Sequence, residues 1–501
     1  MSVKKKRLFT VVGLILLMVV VGVLYMFVPK GKEAASTDET EATEAPSITV
    51  ETVDKNTVTE LSMKTSDETV VLQKNDDTWN FKGDKKSPVN TELVDTMLTS
   101  LAPVTAVKEL SLSDGSLADY GLDKPSLEVT ATTSDGKSYT YTFGIEVPVV
   151  GGYYGQTSDN TKLYALNASI YTAFDHTKNS LMQIATAPEI TADYITYINV
   201  DNRSGEDFEA EVVDEKDRVD SLSKWNVNKP YIVPVAVNVQ TFNTLLDTYT
   251  TYNFASCEGY GIKDLGKYGL DKPACTITMK YYTVKSSGAE ATATPAATGS
   301  SEIAEKDREY HNFSVKIGKK TKDGYYVQIS GSDGVFVIAT DAVKNYMEPD
   351  VYTYVDHAIY ATLATKIKGF DVYTGGETIK VTRKETGETK DGVEQNEWYI
   401  NNKKVDLSGD KAEETFLTPY SKGYLLETSG KISSTVKPKS DKEVLKIVYH
   451  EDKKDVTISY LPYDGENFYR VKKNGEMLFL TDKRAVDDAA KAFAGMLDLV
   501  K

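Results

Sequence analysis

Tyr120-Gly121-Leu122-Asp123-Lys124-Pro125 recurs unchanged as Tyr268-Gly269-Leu270-Asp271-Lys272-Pro273. The first copy of this hexapeptide begins 41 residues after Trp79, and the second begins 43 residues after Trp225. Six identical residues at matched distances from a tryptophan are very improbable by chance, and such self-similarity marks a repeat architecture. We therefore expect most of the chain to be built from copies of one structural unit.

A third tryptophan, Trp398, marks a third copy of the same pattern. Each tryptophan closes an apolar strand, which is followed by a polar gap, an amphipathic helical pattern and a further strand. Asparagine and aspartate are residue types that cap helix N-termini. The predicted caps of the three helices are Asn90, Asn238 and Asp410.

The second half of each copy consists of alternating strands. The hexapeptide is followed by strands and then by paired tyrosines in a hairpin, at Gly152-Tyr153-Tyr154-Gly155 and Gly324-Tyr325-Tyr326-Val327. The matching segment of the third copy is Asn467-Phe468-Tyr469-Arg470. A strand running into a closing helix ends each copy. The unit is predicted as β-β-β-α-β, turn, β-β-β-β-α, which is an α+β fold of antiparallel sheet with helices on one side.

Three tandem units of this kind account for the length of the chain. Their predicted bounds are 48–190, 191–355 and 356–501. The second unit also contains an Ala/Thr/Ser/Pro tract at about 285–307, where strands matching the first unit resume directly afterwards. This tract is predicted to be a disordered insertion at a hairpin tip.

Residues 8–28 form an uncharged run of 21 residues that follows Lys4, Lys5, Lys6 and Arg7. A helix of this length spans ~30 Å, the hydrocarbon thickness of a bilayer. The positive-inside bias predicts a cytoplasmic tail at 1–7, a transmembrane helix at 8–28, and a single-pass cell-membrane protein whose units lie outside the cell. A cleaved signal peptide is the competing interpretation. Residues 29–47 are predicted to be a disordered acidic stalk.

The charge of the chain restricts its partners. The formal net charge is −16, and all charge in residues 1–28 is positive, so the remainder carries −20. Phosphate backbones require basic patches, which argues against a nucleic-acid partner. An acidic surface suits solvation or a cationic partner.

The chain has two cysteines, Cys257 and Cys275, and neither has the neighbouring Cys or His residues that a zinc site requires. Two alternatives remain open for them. They form a disulfide in an oxidising compartment, or they are buried thiols, since Cys275 falls where the first unit has the apolar residue Leu127.

The repeated hexapeptide is the candidate binding site, because an exposed turn carrying Tyr, Asp and Lys can contact a ligand or partner. The candidate residues are Tyr120, Gly121, Asp123, Lys124 and Pro125, with Tyr268, Gly269, Asp271, Lys272 and Pro273. A structural role explains the same residues. Glycine allows positive φ, aspartate can bond to the turn backbone, and proline begins the next strand where no backbone donor is needed.

Other chemistry is poorly supported by the sequence. The paired tyrosines could stack on sugar rings, but neighbouring residues of a strand point to opposite faces. The histidines, His176, His311, His357 and His450, are scattered, and no metalloprotease, hydrolase-elbow or nucleotide-binding motif is present. We therefore expect no catalytic residue, no metal site and no cofactor.

The order of these features resembles the bacterial family called domain of unknown function 4340. The hexapeptide loops at 120–125 and 268–273 are the most specific part of the resemblance, which covers nearly all of the chain beyond the stalk. The third copy departs from the pattern, because no such loop lies between Ser433 and Tyr449. The resemblance implies no established activity. It implies an envelope protein of the kind encoded beside ABC-type systems for gliding or exopolysaccharide export.

These observations predict a non-catalytic, membrane-anchored extracytoplasmic binding or scaffold protein, and the resemblance implies an accessory subunit of an ABC-type exporter. One alternative is a protein that binds cell-wall glycan or polysaccharide. A second is an envelope hydrolase, which requires two or more carboxylates, or a Ser/His pair, in one pocket. The expected partners are the membrane and either transporter subunits or a cell-wall polymer.

Overall fold

A computed structural model of the chain describes residues 47–500 with short gaps. The gaps are 112–115, 149–150, 160–161, 220–222, 286–302, 361, 363–365, 391–392, 408–411, 433–436, 439 and 453. The predicted transmembrane segment 8–28, nearly all of the predicted stalk and most of the predicted insertion lie outside the described residues. Among the residues that are described, no helix has both the length and the apolar character needed to cross a bilayer.

The first unit contains the following elements in chain order. They are β1 (Ile48–Glu51), β2 (Val58–Lys64), β3 (Thr69–Asn75), β4 (Thr78–Phe81), β5 (Asp84–Pro88), α1 (Thr91–Ser100), β6 (Val104–Leu110), β7 (Leu127–Thr133), β8 (Ser138–Glu146), β9 (Tyr153–Gln156), β10 (Leu163–Leu166) and α2 (Ala168–Phe174).

The second unit repeats this order without the initial β1. Its elements are β11 (Ile195–Asn202), β12 (Phe208–Val212), β13 (Trp225–Lys229), β14 (Val235–Ala236), α3 (Phe242–Asp247), β15 (Phe254–Tyr260), β16 (Cys275–Val284), β17 (Arg308–Lys320), β18 (Gly324–Ile329), β19 (Gly334–Ala339) and α4 (Thr340–Met347).

The third unit has the same succession again, with longer helices. Its elements are β20 (Ile367–Thr374), β21 (Glu377–Lys390), β22 (Val393–Ile400), β23 (Lys403–Lys404), α5 (Ala412–Tyr424), β24 (Gly430–Lys431), β25 (Leu445–Glu451), β26 (Asp455–Pro462), β27 (Phe468–Lys473), β28 (Glu476–Asp482) and α6 (Lys483–Gly495).

The three sheets have one strand order, and all of their pairings are antiparallel. The order is β6-β10-β9-β8-β7-β2-β3-β4-β5 in unit 1, β15-β19-β18-β17-β16-β11-β12-β13-β14 in unit 2, and β24-β28-β27-β26-β25-β20-β21-β22-β23 in unit 3. Unit 1 adds β1 outside β6. Identical connectivity in three successive sheets confirms the predicted tandem repeat.

The predicted unit lacked one strand that the structure contains. A short strand follows the tryptophan strand in each copy, namely β5, β14 and β23. In unit 1 it reads Asp-Lys-Lys-Ser-Pro, and only Ser87 is buried. It carries no apolar alternation, because it lies at the edge of the sheet and packs little side chain into the core.

The capping predictions have mixed outcomes. Asn90 caps α1 as predicted, because its side chain accepts hydrogen bonds from the backbone N–H groups of Glu92 and Leu93. Asn238 closes a turn just ahead of α3, where its side chain accepts from Gln240 N–H, and the helix itself begins at Phe242. Asp410 lies outside the described residues.

The core lies on one face of each sheet. In β7, for example, Leu127, Val129 and Ala131 are fully buried, while the residues between them are only half-buried. The tryptophans of units 2 and 3 pack against the helix that follows each of them, with ring centroids 5.3 Å apart for Trp225 and Phe242 and 5.1 Å apart for Trp398 and Phe416. One continuous hydrophobic core runs through units 1 and 2 and includes Phe479 of unit 3, and most of unit 3 has a core of its own.

The linker between units 1 and 2 pairs with the edge strand of the unit that it leaves. Asn90 N–H donates to Leu181 O, and Gln183 N–H donates to Pro88 O. The linker then contacts the next unit, because the Tyr260 hydroxyl donates to Gln183 O at 2.6 Å. The linker therefore forms a short β-bridge with unit 1 and a side-chain contact with unit 2.

The linker between units 2 and 3 makes equivalent bonds. Asn238 N–H donates to Tyr354 O, and Asp356 N–H donates to Ala236 O. Thr428 N–H of the third unit then donates to His357 O. The two junctions are therefore repeated structures, as the units are.

Candidate functional site

The two hexapeptides form the same turn. The tyrosine ends a 3-10 helix, at Leu117–Tyr120 in unit 1 and Leu265–Tyr268 in unit 2. The glycine that follows lies in the left-handed region, with φ of 72° at Gly121 and 71° at Gly269. A residue with a Cβ is strained in this conformation, which explains the glycine.

The turn packs against the paired-tyrosine hairpin of its own unit. The ring centroids of Tyr120 and Tyr154 are 5.0 Å apart, and those of Tyr268 and Tyr326 are 4.8 Å apart. Two motifs that are distant in sequence therefore form one aromatic contact. The second tyrosine of each pair therefore packs against the turn of its own unit.

A second glycine lets the turn approach the sheet. A Cβ placed on Gly144 would lie 1.9 Å from the carbonyl oxygen of Tyr120, and one on Gly318 would lie 2.3 Å from that of Tyr268. Both distances are far inside van der Waals contact, and the atoms met belong to the backbone. The turn can therefore approach the strand this closely only where the strand has a glycine.

The charged residues of the hexapeptides lie in solvent. Asp123, Lys124, Asp271 and Lys272 are exposed. The predicted bonds from Asp123 and Asp271 to the turn backbone are not found among the described residues. Other aspartates supply them, because Asp119 accepts from Ser116 N–H at 2.7 Å and Asp264 accepts from Gly266 N–H at 3.1 Å.

Each proline lies one residue before the first residue whose backbone N–H bonds to the neighbouring strand. Pro125 precedes Ser126, whose N–H donates to Phe143 O, and Pro273 precedes Ala274, whose N–H donates to Ile317 O. The missing N–H of proline therefore removes no bond from the sheet, as the sequence predicted.

The third unit keeps part of this turn. Val444 N–H donates to Tyr460 O, which is the bond that Ser126 and Ala274 make in the other units. Counting back three residues from Val444 places Asp441-Lys442 where the hexapeptide has Asp-Lys. The tyrosine and glycine are absent, but the Asp-Lys pair remains, so unit 3 holds a reduced form of the loop.

An arginine fastens the reduced loop of unit 3. Arg470 is buried, and its Nη2 donates to Ser440 O at 2.7 Å and to Asp441 Oδ1 at 2.8 Å. In strand register Arg470 pairs with Leu480, as Tyr326 pairs with Val337 of unit 2. Arg470 therefore occupies the position of the hairpin tyrosine.

The two cysteines are free and buried. Of the two alternatives, the disulfide is therefore not the arrangement that the structure has. Burial raises the pKa of the Cys257 thiol to about 11 and that of Cys275 to about 12. Cys275 occupies the first position of β16, as Leu127 does in β7, and acts as a small apolar core residue.

The histidines are separate from one another. His176 contacts Ser180, His311 contacts Thr283, His357 contacts the Tyr352 carbonyl, and His450 contacts Asp455. No group of three or more His, Cys, Asp or Glu side chains suited to a metal ion occurs in the described part of the chain. Desolvation lowers the pKa of His176.

Sequence reasoning missed the clefts at the two junctions, because residues from different units line them. The cleft between units 1 and 2 has a volume of about 720 Å³. It is lined by Thr78, Trp79, Asn80, Lys85, Lys86, Ser87, Pro88, Val89 and Thr91 of unit 1 and by Tyr260, Gly331, Ser332 and Asp333 of unit 2. Aromatic, hydroxyl, amide and ammonium groups therefore face one space.

The cleft between units 2 and 3 occupies the corresponding place and has a volume of about 500 Å³. Unit 2 and the linker contribute Arg218, Val219, Val233, Pro234, Val235, Ala236, Asp356, Ala358, Ile359 and Tyr360. Unit 3 contributes Thr428, Glu451, Lys454, Val456, Val471, Lys473, Asn474, Glu476, Leu478 and Phe479. This cleft combines apolar walls with charges of both signs.

A family model confirms the resemblance that these features carry. The model of the family described as Domain of unknown function (DUF4340) matches residues 79–273 and again residues 225–416. The chain belongs to this family. No curated protein and no solved structure gives a significant match.

The two DUF4340 matches follow the repeat. They begin at Trp79 and Trp225, and the first ends at Pro273, the last residue of the second hexapeptide. One DUF4340 match therefore spans more than one structural unit and includes a whole junction. Both linkers therefore lie in the part of the chain that the family model matches, whereas the unit 3 residues that line the second cleft lie beyond residue 416.

Proposed function

We propose that this DUF4340 protein is a non-catalytic binding and scaffold protein of the cell envelope, held to the membrane by residues 8–28 with its three units outside. The coupling of the units in series supports the proposal. Each linker forms a β-bridge beside the edge strand of one unit and contacts the next, through Leu181–Gln183 at the first junction and Tyr354–Asp356 at the second. Units joined in this way present several surfaces at fixed spacing to a large partner.

Side-chain contacts across the second junction also support a fixed arrangement. Tyr231 of unit 2 packs edge-on against Phe479 of unit 3, with ring centroids 5.3 Å apart. Lys431 forms an ion pair with Glu206 across the same junction at 2.6 Å. Apolar and charged contacts together restrict motion between the units more than a flexible tether does.

An accessory subunit of an ABC-type exporter is the partner role we propose. Crosslinking of the full-length protein in intact cells, followed by identification of the captured proteins, tests it. We expect transporter subunits to be captured through the three units, and capture to be lost when the units are released from the membrane. Recovery of this chain alone, or of soluble proteins without a transporter, contradicts the role.

Binding of cell-wall glycan is a second candidate, which the lining of the cleft between units 1 and 2 favours. Sugar-binding sites combine aromatic faces with hydroxyl, amide and charged groups, and Trp79, Tyr260, Asn80 and Lys86 supply these here. The test is sedimentation of the protein with purified cell-wall material. We expect Lys86→Glu to reduce sedimentation if the cleft binds glycan, and Lys437→Glu, in the third unit, to leave it unchanged.

The hydrolase alternative stays a prediction with a defined test. Asp356, Glu451 and Glu476 line the cleft between units 2 and 3, so three carboxylates share one space. Glycan hydrolysis that disappears in Glu451→Gln, with sedimentation unchanged, would establish it. Absence of hydrolysis with the wild-type protein removes this alternative and leaves the scaffold role intact.

A further inference from the structure

Arg218 is held at the wall of the cleft between units 2 and 3 by a buried asparagine. Asn226 Nδ2 donates to Asp217 O at 2.9 Å, and Asn226 Oδ1 accepts from Val219 N–H at 3.1 Å. These bonds fix the backbone on both sides of Arg218. The arginine is therefore positioned by the strand that carries the unit's tryptophan.

The guanidinium of Arg218 is incompletely satisfied. Its Nε is buried and has no hydrogen-bond partner. A buried donor without an acceptor is destabilising, and more so when the group is charged. An acceptor from outside the chain, either water or a bound anion, would satisfy this donor.

The carboxylates of the same cleft have other neighbours. Glu451 accepts from the Tyr360 hydroxyl at 2.9 Å, and Asp356 accepts from Ala358 N–H at 3.0 Å. Glu476 lies opposite Lys473 in the register of the β27–β28 hairpin. The cleft contains equal numbers of acidic and basic side chains, but Arg218 is the one whose buried donor has no acceptor among the described residues.

Apolar residues form the walls beside the arginine. Val233, Val235, Leu478 and Phe479 come from both units and leave about 500 Å³ between them. A volume of this size is typical of small-molecule sites. The lining therefore suits a ligand with an apolar body and one acidic group.

We propose that the cleft between units 2 and 3 binds a small organic anion, whose carboxylate or phosphate accepts from Arg218 while its apolar part packs on Val235 and Phe479. This inference rests on the proposed binding function and gives it a ligand class. Arginine presents planar paired donors, which match carboxylate and phosphate better than the ammonium of lysine does.

Isothermal titration of the full-length protein with small probes tests the proposal. The probes are phenyl phosphate and benzoate, with inorganic phosphate and benzylamine for comparison. We expect both aromatic anions to bind and benzylamine to show no binding. Inorganic phosphate should bind at least tenfold more weakly than phenyl phosphate, because it lacks an apolar body.

Variants distinguish the contribution of Arg218 to binding from that of the cleft walls. Arg218→Gln should weaken phenyl phosphate binding at least tenfold, and Arg218→Lys should restore part of the loss. Val233→Trp should block binding by filling the cleft. Arg484→Gln removes the same charge from an exposed site and should leave binding unchanged.

Equal binding by the wild type and Arg218→Gln, equal binding of benzylamine, or no binding of either aromatic anion overturns the proposal. A thermal unfolding scan of each variant shows whether a loss reflects unfolding, and Arg218→Lys supplies the folded comparison. None of these failures affects the scaffold role, because crosslinking tests that role without a ligand.

Discussion

Units 1 and 2 fasten the turn before the second half of their sheets with a tyrosine, whereas unit 3 fastens it with an arginine. Tyr154 and Tyr326 pack against the tyrosine of the turn, and Arg470 donates hydrogen bonds to the loop instead. The residue beneath the turn differs as well. Gly144 and Gly318 allow close approach, and Leu461 takes that position in unit 3.

The difference shows that several residues change together. Where the turn lies against the sheet, the chain has Tyr-Gly in the loop, tyrosine in the hairpin and glycine in the strand. Where the loop is held by Arg470, it lacks Tyr-Gly and the strand has buried Leu461. The sheet order is the same in all three units. This coupling favours a structural role for the hexapeptide over a ligand site.

Gly144→Ala should have the largest effect on stability. Its Cβ would meet the backbone oxygen of Tyr120 at 1.9 Å, so the turn or the strand must move. We expect a loss of about 3 kcal/mol in the free energy of unfolding. Chemical denaturation measures the loss, and hydrogen exchange across β8 shows whether it is local to unit 1.

Gly495→Ala is the matched control for this substitution. Nothing lies within 4 Å of a Cβ built there, and the residue ends a helix. We expect no loss, or a small gain, because alanine favours helix. If Gly495→Ala lost as much stability as Gly144→Ala, the loss at Gly144 could not be assigned to the close approach of the turn.

Arg470→Ala should destabilise unit 3 by about 2 kcal/mol. The substitution removes a buried guanidinium that donates to the carbonyls of Ser440 and Pro462. Asp441→Asn should change stability little, because the Asp441 side chain is 87% exposed and hydrates readily. Hydrogen exchange of residues 440–451 is the measurement. Equal effects of the two substitutions would mean that the ion pair, rather than the bonds to the backbone, holds the loop.

The sequence alone predicts the repeat but not this exchange of residues. The recurring tryptophans and hexapeptides mark the units, because each serves a local packing need. Asn467-Phe468-Tyr469-Arg470 resembles the paired-tyrosine motif in sequence, which aligns Tyr469 with Tyr326. The strand pairing differs from this alignment by one residue and places Arg470 at the position of Tyr326. Register depends on pairing with a distant strand, which one sequence does not reveal.

The sequence also did not predict the clefts or the β-bridges of the linkers. The linker residues Leu181–Gln183 and Tyr354–Asp356 are too short to show alternation, and their partners lie far away in the chain. Arg218 has no motif around it, and its environment comes from units 2 and 3 together. Sites between repeats arise from the geometry of packing, and only coordinates bring their residues together.

The two junctions should differ in their response to acid. Lys178 pairs with Asp84 at 2.7 Å and lowers the pKa of that carboxyl well below its ordinary value of 3.8. A lowered pKa in the folded state adds stability above the ordinary value, and that stability is lost as the pH falls further. Asp84→Asn should therefore cost about 1 kcal/mol at pH 7, with the difference from wild type closing below about pH 4.

Glu206→Gln is the comparison at the other junction. Its partner Lys431 lies 2.6 Å away, but the Glu206 side chain is more exposed, at 52% against 29% for Asp84. We expect a smaller loss at pH 7. Thermal unfolding from pH 3 to pH 8 measures both variants. An Asp84→Asn deficit that persists unchanged at pH 3 would contradict the assigned role of the carboxylate.

The smallest expected effect distinguishes units 1 and 2 from each other. Lys319 Nζ donates to the carbonyls of Gly266 and Lys267 at 2.8 and 3.2 Å, and so ties the turn of unit 2 to its sheet. At the matched position unit 1 has Ile145, which is 53% exposed. Lys319→Ile should cost about 0.5 kcal/mol, because exposed hydrogen bonds of this kind contribute little net free energy.

The reverse exchange, Ile145→Lys, should stabilise the turn of unit 1 by up to the same amount, because the added ammonium can reach the carbonyls that end the 3-10 helix. Hydrogen exchange of Leu122 and Leu270 in the two variants and the wild type gives the comparison. If Ile145→Lys slows exchange at Leu122 while Lys319→Ile speeds it at Leu270, the lysine is an independent fastening added to the shared tyrosine contact. If neither rate changes, the aromatic contact and the glycine beneath it hold the turn alone.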